Sequence, residues 1–265
     1  LLFNNENIYS LIKNNFINNL AGAWIFYTTF PKLPFIYPKF KNIAQFAPIL
    51  GFFIGLIQSF FYLILRNNSW SVYASVPICL ASGYLITGGL HLDGLMDTFD
   101  GIFAGKNKCL KAMKESQVGA FGVQSLFFVS LTQIACLLKI QSQIILVLPI
   151  CLFWGRFSTL VLIDKFKYIT LNTNSISHKK YWNGFKNESL VSITFFFIFV
   201  IYYLVSYESA QFIIQKILLL LIGFFVSYVI PKFLGSKIGG FNGDVCGASV
   251  VIVETIMLFI HAVVL

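Results

Sequence analysis

The chain has 265 residues, 57% of them hydrophobic and only 11% charged, under half the charged share of an ordinary soluble domain. That balance excludes a soluble enzyme with a large core and describes an all-α integral membrane protein, a single polytopic domain over residues 1–265. The net charge of +9 raises the question of nucleic acid, but the positive residues are distributed between short loops in the way a membrane topology demands, so no nucleic-acid partner is expected.

Taken in order, residues 8–30 form an amphipathic, aromatic segment too polar to span, ended by the prolines of FPKLPF. This predicts an N-terminal interfacial or partly inserted helix. Apolar runs long enough for a ~30 Å hydrocarbon core follow at 43–65, 70–90, 119–138, 142–163, 189–207, 211–230 and 245–264, predicting a bundle of about seven transmembrane helices. The aromatic runs SFFYLIL and TFFFIFVIYYLV are assigned to lipid contact or packing rather than to a cofactor. Lysines crowd alternate loops: Lys32, Lys39 and Lys41; Lys106, Lys108, Lys111 and Lys114; Lys165, Lys167, Lys179, Lys180 and Lys186; Lys232 and Lys237. The loops between carry one each at most near the boundary. The positive-inside tendency then puts these loops on the cytoplasmic side and the C-terminus outside. Five scattered cysteines without a C-x-x-C pair predict neither disulfides nor zinc.

One polar stretch interrupts this pattern after the second run: GGLHLDGLMDTFDGIFAGK, Gly88 to Lys106. On a helix, offsets of four and seven residues put Asp93, Asp97 and Asp100 on one face. Carboxylates ~6 Å apart repel by roughly 3 kcal/mol per pair at an effective dielectric of ~20. A hard divalent cation offsets that cost, and Mg²⁺ in particular takes one or two carboxylates together with substrate phosphates. The competing reading is a solvated acidic turn, which does not require three acids in phase with interleaved apolar residues.

A second glycine-rich island, IGGFNGDVCGA, precedes the last run and carries Asp244 among Gly239, Gly240, Gly243 and Gly247. Both islands fall on one membrane face and can converge on a phosphate–metal site; the bland alternative makes Asp244 a helix N-cap. Within the apolar runs, Glu254 and Arg156 are charges that need a partner or a polar cavity. Arg156 either snorkels at the cytoplasmic end of its run or grips a phosphate with its planar donors. His91 is a base, a phosphate contact or a structural residue. His178, in the basic ISHKKYW loop, is by default on a solvated face. No P-loop or nucleophile elbow is present.

These residues carry a family resemblance. GGLHLDGLMDTFDG is similar to the signature GGLHLDGLADTADG of the cobalamin synthase family, the adenosylcobinamide-GDP ribazoletransferases. KCLKAMKESQVGAFGV, GGFNGDVCGA with its later Glu254, FAPILGFFIG and the Gly155-Arg156 pair resemble further family segments in the right order over nearly the whole chain. The chain departs from the pattern at Glu115, Gln117 and Asn242, and the last two stand where the family has arginine and threonine. The resemblance implies transfer of the cobinamide-phosphate moiety of adenosylcobinamide-GDP to α-ribazole or its 5′-phosphate, with release of GMP. It implies Mg²⁺ held by Asp93, Asp97 and Asp100 with Asp244, and one carboxylate, Asp100 by first choice, taking the hydroxyl proton. Substrate contacts are expected from Lys106, Lys111 and Arg156, from His91, and from Gly240, Asn242 and Gly243. The oligomeric state stays open, a homo-oligomer included.

Two rival classes are weighed against this. CDP-alcohol phosphotransferases also use spaced aspartates with Mg²⁺, but have an alanine-arginine pair where Met96-Asp97 stands here. A cation-coupled transporter would hold its acids near the midplane, whereas most of the acids here flank cytoplasmic loops.

Overall fold

The computed structural model describes residues 15–170, 178–205 and 210–264, and the regular elements among them are helical. Helix α1 spans Asn15–Tyr27; at 1.5 Å per residue its 13 residues reach about 20 Å, too short to cross. The remainder of the expected first segment, residues 8–14, lies outside the described residues. Then come α2 (Ala47–Asn67, continued from a 3₁₀ turn at Ile43–Phe46), α3 (Val72–Thr87), α4 (Leu90–Phe103), α5 (Ala120–Ile140), α6 (Ile144–Lys165), α7 (Phe185–Val205), α8 (Ala210–Ile238) and α9 (Gly243–Val264).

Five segments are long and apolar enough to span: 43–67, 120–140, 144–165, 214–238 and 243–264. There are six if α3 and α4 count as one bent pair. The number therefore falls short of seven among the described residues, for two reasons. The run at 70–90 does not continue as one helix, because the chain turns through 88° between α3 and α4. The run at 189–207 leads into 206–209, outside the described residues.

The turn follows from the glycine pair. Gly88 and Gly89 both sit at positive φ, 62° and 71°, where a side chain is disfavoured. The carbonyls left open at the end of α3 are taken up by Thr29: its N–H donates to Ile86 O at 2.8 Å and its hydroxyl to Leu85 O at 3.0 Å. The segment after α1 thus braces the corner, and α4 runs across one end of the bundle instead of through it.

Helix α6 is the axis of the fold. It is apolar all round, which suits a helix surrounded by others, and 89% of its spanning window is buried. It packs on α2, α8 and α9. The aromatic runs pack as expected: Phe196 stacks on Phe153 at 4.2 Å and Phe195 meets Phe52 edge-on, while Phe60, Phe127 and Phe128 face outward. Several polar groups inside the bundle pair with one another, as a medium without water favours. Tyr84 donates to Gln133, Gln133 donates to Thr255, and Ser158 meets Ser249 at 2.7 Å. All five cysteines are free.

Candidate active site

Helix α4 crosses the N-terminal turn of α9 almost backbone to backbone. A Cβ placed on Gly94 would lie 2.7 Å from Asp244 O, and one on Gly247 would lie 3.1 Å from the backbone of His91. The glycines of both polar islands thus let the two helices touch, and the contact sets Asp93 and Asp97 beside Asp244. The α9 terminus is capped by Asn242, whose Oδ1 accepts the Val245 N–H at 3.0 Å. The cap is therefore Asn242 and not Asp244. Asp244 occupies the first turn, where the helix dipole favours an anion, and its Oδ2 accepts from Asn242 Nδ2 at 2.8 Å.

Electrostatics report the crowding. Burial first, then the charges of Asp244, Asp93 and Asp100, push the Asp97 carboxyl up to about 6, because each charged neighbour raises the cost of ionising it. His91, at the start of α4, is held well below the usual histidine range by burial and then by the Arg156 charge. It stands in this site as a neutral imidazole.

Asp100 has a different position. Its two oxygens accept the N–H groups of Gly119 and Gly122 at 2.7 and 2.8 Å, so it ties the end of α4 to the first turn of α5. A Cβ on Gly122 would lie 2.5 Å from Asp100 Oδ2 and 3.0 Å from Met96 O. Gly122→Ala is expected to destabilise the protein by about 1–3 kcal/mol, as overpacking does, measured as a lowered unfolding midpoint in detergent.

The remaining expected site residues divide. Gly243 is open at the α9 terminus with nothing near its Cβ position, whereas Gly240 lies against Lys167 O and Ile169. There the loop pairs with residues 167–169 through Phe241 N–H to Lys167 O and Ile169 N–H to Phe241 O. Lys106 and Lys111 are exposed beyond the end of α4. Arg156 does not snorkel: it is 3% exposed and its Nη1 donates to Glu254 Oε1 at 2.6 Å, beside a small cavity that His91 also lines. It backs the site and does not face solvent. The His178 side chain lies outside the described residues.

Two residues escape the sequence reading. Lys114 borders a cleft with Asn242, Gly243 and Asp244, which no spacing rule could indicate. Glu188, in the first turn of α7, is 2% exposed and lines a cavity of about 320 Å³ together with His91, Asn242, Gly243, Tyr181 and Trp182. Its place after the polar YWNGFKN stretch carried no signal of burial.

Among the described residues, no three carboxylate, imidazole or thiol groups enclose an ion by themselves. The donors present are hard oxygens on Asp93, Asp97 and Asp244, mutually repelling. An incomplete oxygen set of this kind fits Mg²⁺, which keeps several waters and shares its shell with substrate phosphates.

The chain matches the family described as cobalamin-5-phosphate synthase over residues 19–262. It is 41% identical to an adenosylcobinamide-GDP ribazoletransferase of Prochlorococcus marinus over 253 residues, covering 95% of this chain and 97% of that one. It is 32% identical to one of a Thermoanaerobacter species over 79% of this chain and 82% of the relative. No solved structure matches it. The match takes in both aspartate islands, the glycine contacts that join them and the whole of the central helix α6, and the chain belongs to the cobalamin-5-phosphate synthase family.

Proposed function

We propose that this chain transfers the cobinamide-phosphate moiety of adenosylcobinamide-GDP to α-ribazole or α-ribazole 5′-phosphate, releasing GMP. The observation that carries the reading is the convergence of Asp93 and Asp97 on Asp244 across the Gly94 contact. It gathers phosphate-directed chemistry at one end of the bundle, where a soluble nucleotide can reach it, and not at the midplane as in a transporter.

In the reaction, a ribose hydroxyl oxygen of the acceptor forms a bond to the phosphorus attached to cobinamide. The phosphoanhydride bond to GMP breaks and GMP leaves with the electron pair. Phosphoryl transfer asks for alignment and charge neutralisation more than for covalent help. Asp93, Asp97 and Asp244 would hold Mg²⁺, which when bound supplies charge for the bridging phosphate oxygens. Asp100 keeps α4 and α5 in register through its two backbone hydrogen bonds, so the hydroxyl proton passes to one of the other three carboxylates. The first-turn amides of α9 and the ammonium of Lys114 orient the diphosphate, with Lys106 and Lys111 adding positive charge at the rim. Neutral His91 donates or accepts one hydrogen bond without adding charge.

We read the bundle as seven crossings, counting α3 and α7 with the five apolar spans, in a bacterial inner membrane with the aspartates on the cytoplasmic side. The lysine alternation supports that orientation. The direct test is GMP release by the purified, detergent-solubilised protein given both substrates, with Mg²⁺ and then with chelator. Stoichiometric GMP and a cobamide product, lost on chelation and restored by Mg²⁺, are expected. GMP released equally with and without the metal would remove Mg²⁺ from the account, and no GMP from folded protein would remove the reaction.

A further inference from the structure

Glu188 is buried in the wall of the cavity that His91, Asn242 and Gly243 also line. Its Oε1 accepts the Asn183 N–H at 3.3 Å, but Oε2 is buried without a hydrogen-bond partner. A carboxylate oxygen left unmatched in a buried site is costly and calls for an explanation; in the wall of a cavity, a ligand donor supplies one. The walls around it are aromatic. Trp182 is fixed by its indole N–H on Asp164 Oδ1 at 3.2 Å, and Tyr181 has Lys41 Nζ 5.7 Å from its ring centroid.

Size and chemistry select the occupant. About 320 Å³ lies at the small end of small-molecule sites, which run from about 300 to 1,000 Å³. It admits a nucleoside but not a corrin macrocycle. Of the three nucleosides in the reaction, guanosine presents N1–H and the exocyclic 2-amino group side by side, the donor pair that a carboxylate accepts, whereas the adenine of the adenosyl group sets its 6-amino donor beside the acceptor N1. The benzimidazole of α-ribazole carries no N–H donor. Aromatic walls suit a purine face.

Resting on the reaction proposed above, we propose that this cavity is the guanosine subsite of the nucleotide donor. Glu188 accepts guanine N1–H and the 2-amino group, and the diphosphate leads past Asn242 and Gly243 to the aspartates. Glu188 is then a specificity residue that touches substrate away from the reacting atoms.

The test is equilibrium binding of GMP, inosine monophosphate and xanthosine monophosphate to the purified protein by isothermal titration. The wild type is expected to bind GMP about ten- to a hundredfold tighter than inosine monophosphate, which lacks the 2-amino donor. Glu188→Gln still accepts the Asn183 N–H. It is expected to lose the preference for GMP and to favour xanthosine monophosphate, whose 2-oxo group takes the new amide donor. Equal binding of GMP and inosine monophosphate by the wild type overturns the proposal, and that comparison needs no variant. An unchanged GMP preference in Glu188→Gln, or a change confined to the KM for α-ribazole, also overturns it. Loss of the reaction reading is separable, since discrimination among the nucleotides would persist without GMP release.

Discussion

Asp97→Asn is expected to lower GMP release at saturating substrates by about a hundredfold or more, the scale at which metal sites respond when a ligand or its support is removed. The same change should raise the unfolding midpoint of the metal-free protein. Asp97 carries the strain of the cluster: burial and the charges of Asp244, Asp93 and Asp100 all oppose its ionisation. An isosteric amide removes that repulsion while keeping the shape that lets α4 lie on α9. Added Mg²⁺ should raise the midpoint of the wild type and leave the variant nearly unmoved, because the cation's benefit is largest where the carboxylates repel one another. Activity and stability therefore move in opposite directions, which a residue serving only the fold would not do. A variant that lost stability together with activity would assign Asp97 to packing. A variant that kept full turnover at limiting Mg²⁺ would take it out of the site.

Glu254→Ala is expected to be the most destabilising single change in the bundle, by about 3–5 kcal/mol, because it leaves the Arg156 guanidinium charged and unpaired. The pair is short, 2.6 Å, and both partners are largely withdrawn from their surroundings. The hydrogen bond from Arg156 Nη1 to Leu152 O at 3.2 Å cannot balance a full charge. Replacing both residues, as in Arg156→Met with Glu254→Met, should recover most of the loss, since a buried pair exchanged for apolar groups of similar volume is often neutral. Unfolding in detergent of the two singles and the double would show this as a large coupling energy. Near-additive losses would mean that the two charges act separately, with Arg156 available to substrate after all.

The membrane character, the helical class and the two islands were legible in the residues because each rests on local properties: apolar run length, glycine content and the four-and-seven spacing of the aspartates. The seven-span count was less secure, because run length does not reveal a corner. Gly88-Gly89 turns the chain through 88° inside what composition alone presents as one apolar run followed by a polar helix. In the sequence Asn242 stands as a departure from the family motif and a candidate substrate contact. It proves to be the cap that frees Asp244 to face Asp97, a distinction that depends on which residue opens α9.

By itself, then, the sequence determined a helical chain with several membrane-spanning apolar runs, an acidic, glycine-rich centre and lysines gathered in alternate loops. These follow from transfer energies and helical periodicity, which act on neighbouring residues. Only the tertiary structure decided which groups meet. Asp100 is committed to amides some twenty residues further on, Arg156 finds Glu254 across 98 residues, and Glu188 is enclosed with one oxygen unmatched. Pairing and burial depend on how whole helices cross, and the backbone contact at Gly94 that brings Asp244 to Asp97 is a property of two helices rather than of either stretch.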